Sequence, residues 1–213
     1  MIIRLKSEEQ IKVFSSADLY GIMQRVLMRE HKIDRNREHL WTISLDMAHR
    51  ILNIELVSMG SINRTITEPM EVFSVPLQKR AVKIVLVHNH PSGELQPSQA
   101  DKDITDRLIQ CGLLLNVPVL DHLIITEKQY YSFADSGLLT QLEGSNKYVP
   151  EYKLKEQMQM QLAEEVRKKE GERKSREMAR VMKQNGEPIE KIMQYTGLSR
   201  QIINGIKLKP EDR

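Results

Sequence analysis

Apolar residues at Leu19, Ile22, Met23, Val26 and Leu27 fall on one side of a helix over about 17–28, with Ser15 or Ser16 able to cap its start. From His39 to Leu45, the β-favouring Trp41, Ile43 and Leu45 alternate with polar partners, and a second alternating run spans Ile51 to Val57 ahead of Gly60. These runs predict a half-buried, hairpin-like pair of strands. Pro69 and the helix formers after it predict a helix over 70–81, in which Pro76 imposes a kink or an early stop. Ile84 to Val87 is a short β-branched run of the central-strand kind, and it leads into His88, Asn89, His90, Pro91, Ser92 and Gly93. Ser98 followed by Asp101 marks a helix start, and Ile104, Leu108, Cys111 and Leu115 recur at helical spacing, with the helix expected to end near Gly112. Val117 to Thr126, apolar apart from Asp121 and His122, and Tyr130 to Phe133 complete the strands. Alternating strands and helices put the class at α/β or α+β.

From Glu151 to Lys183 the pattern changes to Lys, Glu, Arg, Gln and Met with no β signal, which suits a long solvated helix. Asn185 and Gly186 can stop it, Pro188 can open the next helix, Thr196 and Gly197 make a turn, and Ser199 can cap a last short helix. Charge divides at the same place. Residues 1–150 carry 17 basic and 18 acidic side chains, whereas 151–213 carry 15 and 11, so the net +3 of the chain resides in its tail. Two domains are expected: 12–140, and a charged helical tail over 151–213.

With 213 residues, 40% hydrophobic and 29% charged, the chain can bury an ordinary globular core. The single cysteine, Cys111, makes an internal disulfide and a four-cysteine zinc site unavailable, which points to a reducing compartment. It shares a helix face with Leu108 and Leu115 and is expected to be an inert, buried thiol. The opening MIIRLKSEEQIK becomes charged too early for a signal peptide, and no stretch reaches the ~20 apolar residues of a membrane span, so a cytoplasmic protein is expected.

His88 and His90, two apart, put both imidazoles on one face of a strand while Asn89 points the other way. Asp101, at the start of the next helix, can return over the strand end to complete a three-ligand site with one position open. Two imidazoles and a carboxylate with a free position describe catalytic zinc better than structural zinc. Zinc of that kind lowers the pKa of bound water from about 15.7 to about 7. A proton shuttle is also needed, and two carboxylates are candidates: Glu38, entering the first alternating run, and Glu71, at the start of the kinked helix. Ser98 can donate to a developing oxyanion or cap its helix, and its spacing allows both. Asp121 and His122 lie on opposite faces of one strand, so at most one of them supports the metal. His31, His39 and His49 are expected to be exposed. The adjacent letters HNH do not describe the ββα-metal nuclease of that name, whose residues are dispersed.

His88, His90, Ser98 and Asp101, with seven residues between His90 and Ser98, resemble the JAMM (JAB/MPN) metalloprotease motif. HNHPSG, PSQAD and LDHLIIT, together with ISLDMAHRILNIELVSMGSIN and PMEVF upstream, resemble the RadC family of that superfamily over roughly residues 12–140. The resemblance implies an α+β, cytidine-deaminase-like JAB/MPN fold, a mixed sheet flanked by helices, followed here by an all-helical extension. It implies Zn2+, one per chain, held by His88, His90 and Asp101, with Ser98 near the oxyanion. Superfamily topology favours Glu38 as the base. RadC relatives also carry a glutamate at the position of Glu71, but the arginine before it is Met70 here. The helix-hairpin-helix that many RadC proteins carry ahead of the catalytic domain is not expected before Ser15 in this sequence, and a repair role is correspondingly a weak expectation.

The expected activity is zinc-dependent hydrolysis of a peptide or isopeptide-like amide, with the protein substrate unspecified. The alternative is a DNA-associated accessory protein of a mobile element or repair context, with a structural or vestigial metal site. For the alternative, Ile189, Ile192 and Met193 against Leu198, Ile202 and Ile206 outline a helix-turn-helix over about 172–207, offering Arg200, Gln201, Asn204 and Lys207 to a groove. Otherwise the tail packs on the catalytic domain or forms a homodimer through Met158, Leu162, Val166 and the Met178 to Met182 face.

Overall fold

A computed structural model of the chain describes residues 2–3, 12–60 and 68–207. Residues 61–63 of the family-like stretch, like most of the opening segment, lie outside the described residues. The chain divides into two compact units, Met1–Val149 and Pro150–Arg213.

The first unit is a six-stranded mixed sheet between helices. Its strands are β1 (Ile2–Ile3), β2 (His39–Leu45), β3 (Ile51–Met59), β4 (Lys83–Asn89), β5 (Val119–Ile125) and β6 (Tyr130–Ser132), in the order β1-β3-β2-β4-β5-β6. Only β4 and β5 run parallel, and the helix α4 (Gln99–Leu115) connects them. The remaining helices of this unit are α1 (Ser16–Arg29), α2 (Lys32–Arg35), α3 (Pro69–Gln78) and α5 (Leu138–Glu143).

α1 starts at the expected serine: Ser15 and Asp18 exchange hydrogen bonds as a capping box. Its apolar stripe buries against Trp41, Ile43, Val85, Val87 and Leu123 on one face of the sheet. On the other face Ile84, Leu86 and Ile124 meet Val72 and Phe73 of α3 and Leu108 and Ile109 of α4. Because helices cover both faces, all seven residues of β2 are buried rather than half of them. His39, expected at the surface, is fully buried and stacks on Trp41 with centroids 5.0 Å apart.

α3 stops at Gln78, two residues after the buried Pro76, three residues earlier than the periodicity predicts. α4 continues three residues past Gly112 and ends where Asn116 takes a left-handed conformation (φ 56°). Gly112 instead lets the chain return closely: a Cβ there would meet the Val117 carbonyl oxygen at 2.7 Å. Its N–H neighbour in space, Val117 N, donates to Gly112 O at 2.9 Å.

The second unit consists of α6 (Glu151–Gln184), α7 (Ile189–Thr196) and α8 (Arg200–Gly205). Ala179, Ile192 and Ile203 are its fully buried core, with Met182, Met193, Leu198 and Ile206 around them. The buried residue of α8 is thus Ile203; Ile202 is exposed. Gly197 (φ 69°) makes the turn and Ser199 caps α8 through Ile202 N. Lys183 Nζ donates to the carbonyls of Ile203, Asn204 and Ile206 at 3.0–3.1 Å. Met158, Leu162 and Val166 are exposed on α6. Among the described residues no helix is long and apolar enough to cross a membrane.

Candidate metal centre

Register brings the site together. His88 pairs across the sheet with Leu40 of β2 and with Ile124 of β5, which places it at the ends of three central strands. Pairing continues past Asn89, since His90 N donates to Ile125 O at 3.0 Å. His90 therefore keeps the period of two and stands beside His88. Asp101 returns over them because the capping box of α4 fixes its first turn: Ser98 N and Ser98 Oγ each donate to Asp101 Oδ2 at 2.7 Å, and Asp101 N donates back to Ser98 Oγ.

His88 Nε2 lies 2.8 Å from His90 Nε2 and 3.3 Å from Asp101 Oδ1, and His90 Nε2 lies 3.6 Å from Asp101 Oδ2. Tetrahedral ligands about 2.0–2.1 Å from one ion sit roughly 3.3 Å apart. The three ligand atoms are the one His/Cys/Asp/Glu group among the described residues suited to a metal ion. Hydrogen bonding supports the fit. His90 Nδ1 is 2.7 Å from Glu94 O, so it carries the proton and leaves the Nε2 lone pair pointing at His88.

Electrostatics agree. Burial first, then His122, hold His88 well below its ordinary pKa and keep it neutral. The hydrogen bond that a protonated His90 donates to Asp101 raises its pKa against its burial. Burial pushes Asp101 upward, but His90, His88 and Ser98 together hold it below the usual carboxylate range.

Glu38 precedes β2, two residues before Leu40, so alternation sends it to the His88 face. It lines a cavity of about 180 Å3 together with His90, Ser98 and Asp101. Glu71 is exposed on the first turn of α3 and lines no part of that cavity. His90 also lines a second cavity, of about 370 Å3, bordered by Arg35, Asn89, Thr126 and Lys128.

Two positions, Asn89 and Thr105, gain roles that the sequence pattern does not assign. Asn89, between the two histidines, faces away from them and is 2% exposed. Its Oδ1 accepts from His39 N at 2.7 Å, and its Nδ2 donates to Arg37 O at 3.0 Å. It grips the chain on both sides of Glu38. Thr105, one turn into α4, donates to Asp101 O and lies 2.6 Å from His122 Nδ1. The Nε2 of that same imidazole is 2.8 Å from His88 Nδ1. Burial takes His122 down to about 4. Asp121, its neighbour, faces the other way and accepts from Ser132 Oγ at 2.6 Å, His122 N at 2.7 Å and Ala134 N at 2.9 Å, with Ser16 Oγ at 3.3 Å. Of the two polar residues that the sequence singles out in this strand, His122 is the one that reaches His88. Cys111 is half-buried and burial raises its thiol.

In the second unit, Gln201, Asn204 and Lys207 are exposed, while Arg200 is ion-paired with Glu190.

The chain matches the RadC-like JAB domain over residues 13–138. A protein of Flavobacterium johnsoniae named UPF0758 is 41% identical over 137 residues, 64% of this chain and 56% of that protein. UPF0758 proteins of Methanosarcina barkeri and Clostridium acetobutylicum are 40% and 38% identical over 62% and 63% of the chain. The chain spans about half the length of the curated relatives it matches, 56% in each of these three. The matched region contains the whole sheet from β2 to β6 and every residue of the His88, His90 and Asp101 centre, and the chain belongs to the RadC family.

Proposed function

We propose that the protein is a zinc-dependent metallohydrolase that cleaves a peptide or isopeptide-like amide. The observation that carries this reading is the convergence of the His88, His90 and Asp101 ligand atoms on one point, with Glu38 on the wall of the same cavity. His88 Nε2, His90 Nε2 and an Asp101 carboxylate oxygen are the holding atoms, and a zinc ion there would supply Lewis acidity toward an amide carbonyl and toward water. Glu38 accepts the proton of the attacking water and returns it to the leaving amine, the role of a carboxylate that is not a ligand. Asn89 holds that carboxylate in place through the backbone on either side of it. Ser98 already spends its hydroxyl proton on Asp101 at 2.7 Å, so its contribution is to orient the ligand rather than to bind an oxyanion. His122 supports His88, and Asp121 acts on the opposite face of β5.

The test is the zinc content of wild type beside the double variant His88→Ala/His90→Ala and Glu38→Gln, followed by hydrolysis of internally quenched peptides and an isopeptide-linked probe. Stoichiometric zinc in wild type and Glu38→Gln, none in the double variant, and turnover in wild type alone is the expected result. Freshly purified wild type without zinc overturns it.

A second reading, in which the tail binds duplex DNA, has a separate support. Charge segregates along α6: residues 151–166 carry 2 basic and 4 acidic side chains, whereas 167–183 carry 8 and 3. The basic half leads into the α7–turn–α8 unit, whose Gln201, Asn204 and Lys207 are exposed. Arg200→Ala with Lys207→Ala is expected to weaken duplex binding and flatten its salt dependence; unchanged retention on DNA or heparin removes this reading.

A further inference from the structure

Four groups form a closed circuit between two of the metal-holding residues. It runs from the Asp101 backbone carbonyl to Thr105 Oγ1, from Thr105 Oγ1 to His122 Nδ1 (2.6 Å), and from His122 Nε2 to His88 Nδ1 (2.8 Å). Thr105, His122 and His88 are each at most 1% exposed, so water cannot substitute for any link. Direction along the circuit follows from donor counting. A threonine hydroxyl has one proton, and Thr105 donates it to Asp101 O, the carbonyl four residues back. Toward His122 it can then only accept, so His122 carries its proton on Nδ1 and presents a lone pair at Nε2. That lone pair accepts from His88 Nδ1, which forces the remaining lone pair of His88 onto Nε2, the atom 3.3 Å from Asp101 Oδ1.

We infer that Thr105 and His122 are positioning residues that set the tautomer of His88, so that its Nε2 lone pair faces the metal position before an ion arrives. The reverse polarity would put a proton on His88 Nε2 and block it as a ligand. Histidine ligands generally need a partner on their other nitrogen, and removing one costs about 10–100-fold in metal affinity. Here that partner is a second imidazole, which has no fixed polarity of its own. Thr105 supplies the polarity, and because its acceptor is the backbone of Asp101, the first turn of α4 holds one ligand directly and orients another at a distance. Phe133 packs against the second imidazole, with ring centroids 4.7 Å apart and planes 30° from parallel. The inference rests on the metal-holding part of the proposed function and on no step of hydrolysis.

The test reads the tautomers in the EDTA-treated wild-type protein by long-range 1H–15N correlation. The expected spectrum has protonated Nδ1 and unprotonated Nε2 on both His88 and His122. A proton on His88 Nε2, or on His122 Nε2, overturns the inference whether or not the protein proves to be a hydrolase. Zinc affinity, measured by competition with a chromogenic chelator, provides the second arm. Thr105→Val, which keeps shape and loses the hydroxyl, is expected to bind zinc about 10–100-fold more weakly, and Thr105→Ser to bind as wild type does. His122→Phe is expected to follow Thr105→Val. If Thr105→Val binds zinc as tightly as wild type, or if Thr105→Ser is as weak as Thr105→Val, packing rather than hydrogen-bond polarity is responsible and the inference fails. Should the valine variant not fold, the tautomer spectrum of wild type decides alone.

Discussion

Replacing Asn89 by alanine tests how the Glu38 segment is held. The side chain makes three hydrogen bonds to backbone 50 or more residues away: from His39 N at 2.7 Å, to Arg37 O at 3.0 Å and to Arg35 O at 3.4 Å. Each such bond contributes about 0.5–1.5 kcal/mol net, and leaving the buried His39 N–H without an acceptor costs about 1–3 kcal/mol by itself. The longest bond adds least, so the combined loss is about 3 kcal/mol. In a unit of 149 residues that corresponds to a fall in Tm of about 6–12 °C. Melting should be followed by circular dichroism in EDTA, so that bound metal adds nothing, with the exposed Lys128→Ala as control. Hydrogen exchange gives the site-specific readout, because the acceptor of the His39 amide is the Asn89 side chain itself. That amide should exchange faster in the variant, while the amides of β4 and β5 keep their protection. A Tm change under about 2 °C, or an unchanged His39 amide, would show that β2 pairing alone holds the segment.

Asp121→Asn is expected to destabilise by about 1–3 kcal/mol, because an amide nitrogen would face donors that the carboxylate now accepts. Burial raises the Asp121 pKa, against the opposing hydrogen bond from Ser132. A raised folded pKa gives stability that is complete below the unfolded value near 3.8 and declines as pH rises through the folded value, so the advantage of wild type over the variant should shrink upward from pH 4. A difference that grows with pH in urea unfolding would contradict the assignment. Gly112→Ala, which would gain about 1 kcal/mol in an open helix, is expected to lose about 1–2 kcal/mol here, because its Cβ would lie 2.7 Å from a backbone oxygen. A higher melting temperature would mean that the α4–β5 turn yields. Lys183→Met removes the ammonium from three carbonyls and should speed amide exchange at Ile203 and Ile206; unchanged protection there would make the contact incidental.

His88, His90, Ser98 and Asp101 were legible along the chain because their geometry is local. A period of two sets the histidines on one face, and a capping box sets Asp101 above them, so spacing alone carries the ligand set. Helix α1, strands β2 to β6 and the long α6 follow equally from periodicity and capping, with errors at ends such as Gln78, two residues after Pro76, and Leu115, where Asn116 turns left-handed. Placing Glu38 rather than Glu71 on the wall of the cavity beside His90 required the β2–β4 register, since both carboxylates begin an element and only pairing decides which one lies on that side. The burial of His39, the grip of Asn89 and the Thr105–His122–His88 link join residues that are 50, 17 and 34 positions apart. Chain pattern reports which face a residue occupies, whereas contact across the sheet depends on strand order and on the helix laid over it, and these exist only once the two cores have closed.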